Sequence, residues 1–106
     1  MQVRPNDDAL QFNHLSPAKE YDVIGLNHDN FRVVDDKGEP VLFSRNIFDI
    51  VDNTIPLDWI WDRFSDDEYY ASPPELHGPG FFEDFFDGKD EAFQRFQSYL
   101  KRMGKV

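Results

Sequence analysis

The residues of this chain with chemical potential are three histidines, five serines and a dense set of carboxylates. His14, His28 and His77 are widely spaced, and no pair falls at the i, i+3 or i, i+4 spacing that sets two imidazoles on one helical face. There is no cysteine, so there is no thiolate ligand, thiol nucleophile or disulfide. The stretch EDFFDGKDEAFQ resembles a calcium loop, with Gly88 at its sixth position. Its third position would then be Phe85 and its twelfth Gln94, so two oxygen ligands are missing. Loose binding of a divalent ion by the acids stays open.

Ser16, Ser44, Ser65, Ser72 and Ser98 lack a G-x-S-x-G setting, and no glycine-rich phosphate loop occurs. The sequence therefore offers no nucleophile–base pair, metal centre or cofactor cradle, and it reads as a protein that is not an enzyme. An acid pair serving a hydrolase-like reaction is the remaining catalytic alternative. Asp66, Asp67 and Glu68 fall in a turn, where solvated charge is the default. Asp84 and Asp87 border a run of phenylalanines, where helix capping is the simpler role.

Charge is the stronger signal. Net charge is −10, and the acids are unevenly placed. Asp49 to Glu91 holds 13 Asp or Glu against only Arg63 and Lys89, whereas Arg95, Lys101, Arg102 and Lys105 form an acid-free end. Such a field repels nucleic acid and anionic membrane and attracts cationic partners. Ordered acids can also imitate a phosphate backbone, and Asp58 to Glu68 is the run that would do so. Solubility alone is the plainer account of the same acids. The opening MQVRPNDDALQF carries no apolar signal core, and no apolar run is long enough to span a membrane. The expected location is the cytoplasm.

With 40% hydrophobic and 16% aromatic residues, the 106-residue chain is expected to fold as one domain. Residues 1–17 read as a loose N-terminal arm, with a short turn near Asp8 to Phe12. EYDVIGL is a strand carrying Tyr21, Val23 and, after a partial break, Leu26. FRVVDD, with Phe31 and Val33 on one face, and EPVLFS follow as strands around the hairpin turn DDKG. RNIF is a single tight helical turn, and DIVD a short strand with either Ile50 or Val51 inward.

WIWDRFS and YYAS make a further hairpin around SDDE, with Trp59, Trp61 and Arg63 on one face. PPELHGPG reads as a loop outside the core. From Gly80 the period changes. Phe82, Phe85 and Phe86 share one helical face, Asp87-Gly88 breaks the run, and Phe93, Phe96, Leu100 and Met103 form an amphipathic stripe. Asp90 and Glu91 begin that helix, Lys101 and Arg102 end it, and Gly104 stops it. Phe82, Phe85, Phe86, Phe93 and Phe96 are expected in the core.

Four short strands with a one-turn helix before the last, carried by KEYDVIGL, FRVVDDKGEPVLFS and RNIFDIVD, resemble the order of an SH3-like barrel. The implied fold is α+β: a small SH3-like β-barrel over residues 18–52, a hairpin and Pro/Gly loop over 53–79, and a C-terminal helical segment over 80–104. No ALYDY-like aromatic string opens it, so the proline-ligand groove of peptide-binding SH3 domains is not expected. YDVIGLNHDNFRVVDDKGEP, FDIVDNTIPLDWIW and PGFFEDFFDG together resemble a group of small, uncharacterised acidic bacterial proteins, and some small acidic proteins of this sort act as immunity proteins against secreted toxins.

That resemblance implies a protein partner, and the charge implies a basic one. The expected function is a non-catalytic immunity protein neutralising a cationic toxin domain, with a regulatory or adaptor module of a bacterial complex as the alternative. The partner-binding residues read from the sequence are Trp61, Asp62, Asp66, Asp67, Glu68 and Tyr69, because aromatics beside acids anchor and steer a cationic protein. The competing reading places Trp59 and one of the tyrosines in a core. Oligomeric state leaves no mark in the sequence.

Overall fold

Residues 1–105 are described by a computed structural model. Among them the chain forms seven strands and two α-helices. The strands are β1 (Gln2–Pro5), β2 (Tyr21–Asn27), β3 (Asn30–Val34), β4 (Pro40–Ser44), β5 (Phe48–Asp52), β6 (Ile60–Arg63) and β7 (Tyr69–Ser72). The helices are α1 (Phe81–Phe86) and α2 (Asp90–Arg102).

All ladders are antiparallel, and the main path runs β4-β3-β2-β1-β5, with β7 joined to β2 and β6 to β7. The single turn of helix predicted at RNIF is a 3₁₀ turn, Arg45–Ile47, started by Ser44. The sheet is open. β4 and β5 are the two ends of the path, so the closed barrel expected from the strand order is not formed.

The N-terminal segment departs from the expectation. Residues 1–17 are not a loose arm: β1 lies between β2 and β5, and Val3 is fully buried. Four residues with one apolar side chain give too little period to be seen in sequence. The arm is tied down again at Ser16, whose hydroxyl donates to Asp36 Oδ2 at 2.7 Å. Lys19 Nζ at 2.8 Å and the Tyr21 hydroxyl at 2.7 Å donate to Asp36 Oδ1. These bonds, that from Lys19 foremost, hold the Asp36 carboxyl down at about 2.

The break in β2 has a cause. Pairing with β3 slips between Val23 and Gly25, a β-bulge that inserts Ile24. Tyr21, Val23 and Leu26 therefore point into one apolar cluster, together with Val3, Phe31, Val33, Phe43, Phe48 and Trp59. Ile24 points to the opposite face, where Leu76, Phe81, Ala92, Phe96 and Tyr99 close a second cluster beneath the helices.

Several expectations about the core change. Neither Ile50 nor Val51 is inward; both are exposed on the end strand β5. Trp59 and Trp61 do not share a face, because Trp59 precedes β6 in a turn closed by its own N–H to Pro56 O at 3.3 Å. PPELHGPG is a core element after all: Pro74–Leu76 is a 3₁₀ turn, and Leu76 is fully buried.

On the helices the buried face is Phe81, Ala92, Phe96 and Tyr99, while Phe82 and Phe85 are half-buried and Phe86, Phe93 and Met103 are exposed. The real stripe on α2 is i, i+4, i+7 from Ala92. Its small alanine and its tyrosine carry a weaker apolar signal than the phenylalanines beside them.

Both helices end alike. Gly88 and Gly104 adopt φ of 78° and 72°, which L side chains resist. Their N–H groups donate to Phe85 O and Lys101 O, and the following Lys89 and Lys105 N–H groups donate to Asp84 O and Leu100 O. This is the Schellman arrangement, so Asp87-Gly88 ends one helix cleanly before the next begins.

Candidate functional site

The β6–β7 hairpin carries all six residues singled out in sequence. Its tip is a tight turn in which the Phe64 and Ser65 N–H groups both donate to Glu68 O, at 2.7 and 3.2 Å. Ser65 Oγ accepts from Glu68 N at 3.1 Å. The turn bonds consume backbone groups and leave the Asp66, Asp67 and Glu68 carboxylates in solvent.

Trp61 is 42% exposed, and its ring centroid lies 5.9 Å from that of Tyr69. The Arg63 guanidinium sits over both rings, at 5.7 and 5.5 Å. Tyr69 is fixed from the other side by Arg45, whose Nη1 donates to its hydroxyl at 3.4 Å and to His28 O at 3.0 Å.

The turn between β2 and β3 meets this tip, a juxtaposition that the sequence reading missed. His28 Nε2 is 3.5 Å from Asp67 Oδ1, and His28 Nδ1 is 3.0 Å from Asp29 Oδ1. Between the two turns lies an open cleft of about 280 Å³ with Phe64, Tyr69 and Tyr70 as aromatic wall and Asp29, Asp67 and Glu68 as acids. Phe64 is 78% exposed, far more than a core aromatic. The acids of this cleft come from separate turns, so no linear stretch announces them. NHDN, residues 27–30, has only the composition of a turn, yet turn residues project side chains where two hairpins converge.

Asp62 does not join the cleft. It points across β7 to His77, with Nε2 to Oδ2 at 2.7 Å. His77 Nδ1 in turn lies 2.7 Å from Ser72 Oγ. Since the carboxylate can only accept, Nε2 carries a proton, and in the neutral ring Nδ1 accepts from the serine. A serine, a histidine and an aspartate in line resemble a hydrolytic triad. However, Ser72 is fully buried, so its oxygen has no approach for an electrophile from solvent. The line joins β6, β7 and the Pro74–Leu76 turn, and it reads as a structural tie.

Three of the four bases at the C-terminal end are engaged within the chain. Arg95 donates to Glu75 O and His77 O, both at 2.8 Å. Arg102 pairs with Glu75 and, at 3.1 Å, with Asp58. Its hydrogen bond holds the Glu75 carboxyl below the ordinary range and raises the guanidinium. Lys105 meets Asp22 at 2.8 Å; burial works to raise that carboxyl, and the bonds from Lys105 and Gln2 bring it below its ordinary value. Arg102 and Lys105 are thus paired with acids, Arg95 is held on backbone carbonyls, and Lys101 is exposed with no ion pair among the described residues.

Among the described residues no three His, Asp or Glu side chains converge as metal ligands would, and no helix is long and apolar enough to cross a membrane. Comparison with family models, curated proteins and solved structures gives no match.

Proposed function

We propose that this is a non-catalytic binding protein whose partner is a basic protein, an immunity protein that neutralises a cationic bacterial toxin domain. The observation that carries the reading is the cleft between the two hairpin turns. Phe64 and Tyr69 offer flat apolar walls, and Asp29, Asp67 and Glu68 offer carboxylates around them. A lysine or arginine stem packs on such walls while its charge meets the acids. Trp61, tilted against Tyr69 and half in solvent, widens the contact beyond the cleft. Exposed aromatics next to acids supply an anchor, and the wider field, −10 overall, speeds encounter with a cation. The burial of Ser72 supports the non-catalytic part of the reading.

We also read the strand path, with its 3₁₀ turn between β4 and β5, as the order of an SH3-like barrel left open along that seam. On this reading the β6–β7 hairpin is an addition to the barrel, and it carries the contact surface.

The test is affinity capture at low and high salt, comparing the wild type with an Asp67→Lys/Glu68→Lys variant and a Trp61→Ala variant. The expected result is one basic protein, held at low salt, released at high salt and lost with both variants. Co-expression should then protect cells from that protein. A partner retained equally at every salt concentration and by both variants refutes the reading, and recovery of a set of housekeeping subunits favours an adaptor instead.

A further inference from the structure

The phenylalanine cluster is only partly used by the core. Phe86 and Phe93 remain 51% and 53% exposed at the corner where α1 turns into α2. They are not scattered. Phe85 touches both, with centroids 5.3 Å from Phe86 and 6.4 Å from Phe93, the latter stacked. Large apolar side chains grouped in solvent point to a surface that is covered when the protein works.

Beside Phe86 an open cleft of about 440 Å³ is bounded by Phe82, Glu83 and Asp87, with Arg32 on its wall. Arg32 is held in place by the protein: its guanidinium lies 3.9 Å from the Phe82 centroid and its Nη1 donates to Pro40 O at 2.9 Å, while its Nε is buried without a partner. Glu83 and Asp87 line the cleft, and Asp84, Asp90 and Glu91 lie in the same nine residues, which contain one base, Lys89. None of these acids has an ion-pair partner among the described residues.

We propose that this corner is a second docking surface, taking a lysine- or arginine-flanked apolar side chain of a protein into the cleft between Phe82 and Phe86. Apolar burial would supply affinity, and the unmatched carboxylates select a cationic rim on the partner. The same charge disfavours a second copy of this acidic chain and an anionic lipid surface. The surface is built on elements separate from the hairpin cleft, so it stands or falls without it.

The probe is a capped hexapeptide, Lys-Lys-Leu-Phe-Lys-Lys, titrated into isotope-labelled full-length protein and followed by amide shifts. Two control peptides replace the central pair with serines or the four lysines with glutamates. The expected result is saturable shifts in α1 and the first turn of α2 with the first peptide alone. Binding should weaken about tenfold in a Phe86→Ser/Phe93→Ser variant whose remaining spectrum is unchanged. Because both positions are half exposed, this variant keeps its fold. A double variant that binds as tightly as the wild type overturns the proposal, as does equal binding of either control. Shifts confined to the hairpin cleft, or no saturable shift at millimolar peptide, overturn it too.

Discussion

Replacing Asp36 with asparagine removes the charge on which three side chains converge. Its carboxylate accepts from Ser16, Lys19 and Tyr21 at 2.7 to 2.8 Å, while its own N–H donates to His14 O at 2.9 Å. The group therefore ties the segment leading into β2 to the β3–β4 turn. Its carboxyl sits at about 2 rather than the ordinary 3.8. That gap sets an upper limit of about 2.4 kcal/mol on its contribution to stability. About a quarter of the side chain is in solvent, and water screens part of the interaction, so a loss of about 1 kcal/mol is the expected value.

The sign follows from proton binding. With the folded value depressed, the unfolded chain binds more protons between roughly pH 4 and 2, so this contribution is complete above that window and is lost as pH falls through it. Urea unfolding of wild type and Asp36→Asn at a series of pH values provides the assay. The wild type should be more stable at pH 6, and the difference should shrink steadily toward pH 3 and below. The other depressed carboxylates, Asp22, Asp52 and Glu75, are common to both proteins and cancel in the difference. A difference that is absent at pH 6, or constant across the acid range, refutes the reasoning.

Two further outcomes test the packing. Phe96→Ala, beneath the helices, should cost about 3–5 kcal/mol in urea unfolding, whereas Phe93→Ala, three residues away and half exposed, should cost under about 1 kcal/mol; equal losses would mean that the face of α2 is wrongly assigned. A methyl group on Gly25 would come 3.0 Å from the Tyr70 hydroxyl oxygen and 3.4 Å from Arg32 Cβ, so Gly25→Ala should cost about 1–2 kcal/mol. The Tyr70 hydroxyl is buried without a hydrogen-bond partner. Tyr70→Phe should therefore be close to neutral and should recover much of the Gly25→Ala loss; strictly additive costs in the double variant would count against this contact.

The strands whose apolar period is carried by β-branched or aromatic residues were legible in the sequence. Phe31 and Val33 share a face as expected, and the partial break before Leu26 is a real bulge. Gly104 and the charges at the two ends of α2 also marked its limits. What failed to show were features made by partners distant in the chain. β1 is defined by β5, more than forty positions later, and Leu76 is buried only because α2 lies over it. The cleft between the two hairpin turns failed to show for the same reason: Asp29 and Asp67 come together through the pairing of β2 with β7, which no local pattern encodes. The hairpin aromatics Trp61 and Tyr69 were visible because they sit on one short hairpin. Asp62, read there as a free acid, is taken by His77.

The bulge at Ile24 lets one strand serve two apolar clusters, and this orders events during synthesis. The first cluster draws on residues from Val3 to Ala71, so it can close once β7 has left the ribosome. Ile24 keeps its other face bare until Leu76, Phe81, Ala92, Phe96 and Tyr99 follow β7 out of the exit tunnel. A chain whose sheet closed before the helices docked would carry one bare apolar face, the kind of surface that invites association between chains. The last turn of α2, with Tyr99 and the anchoring Arg102, then acts as the closing cover. A chain truncated before it should therefore fail by aggregating rather than by remaining unfolded.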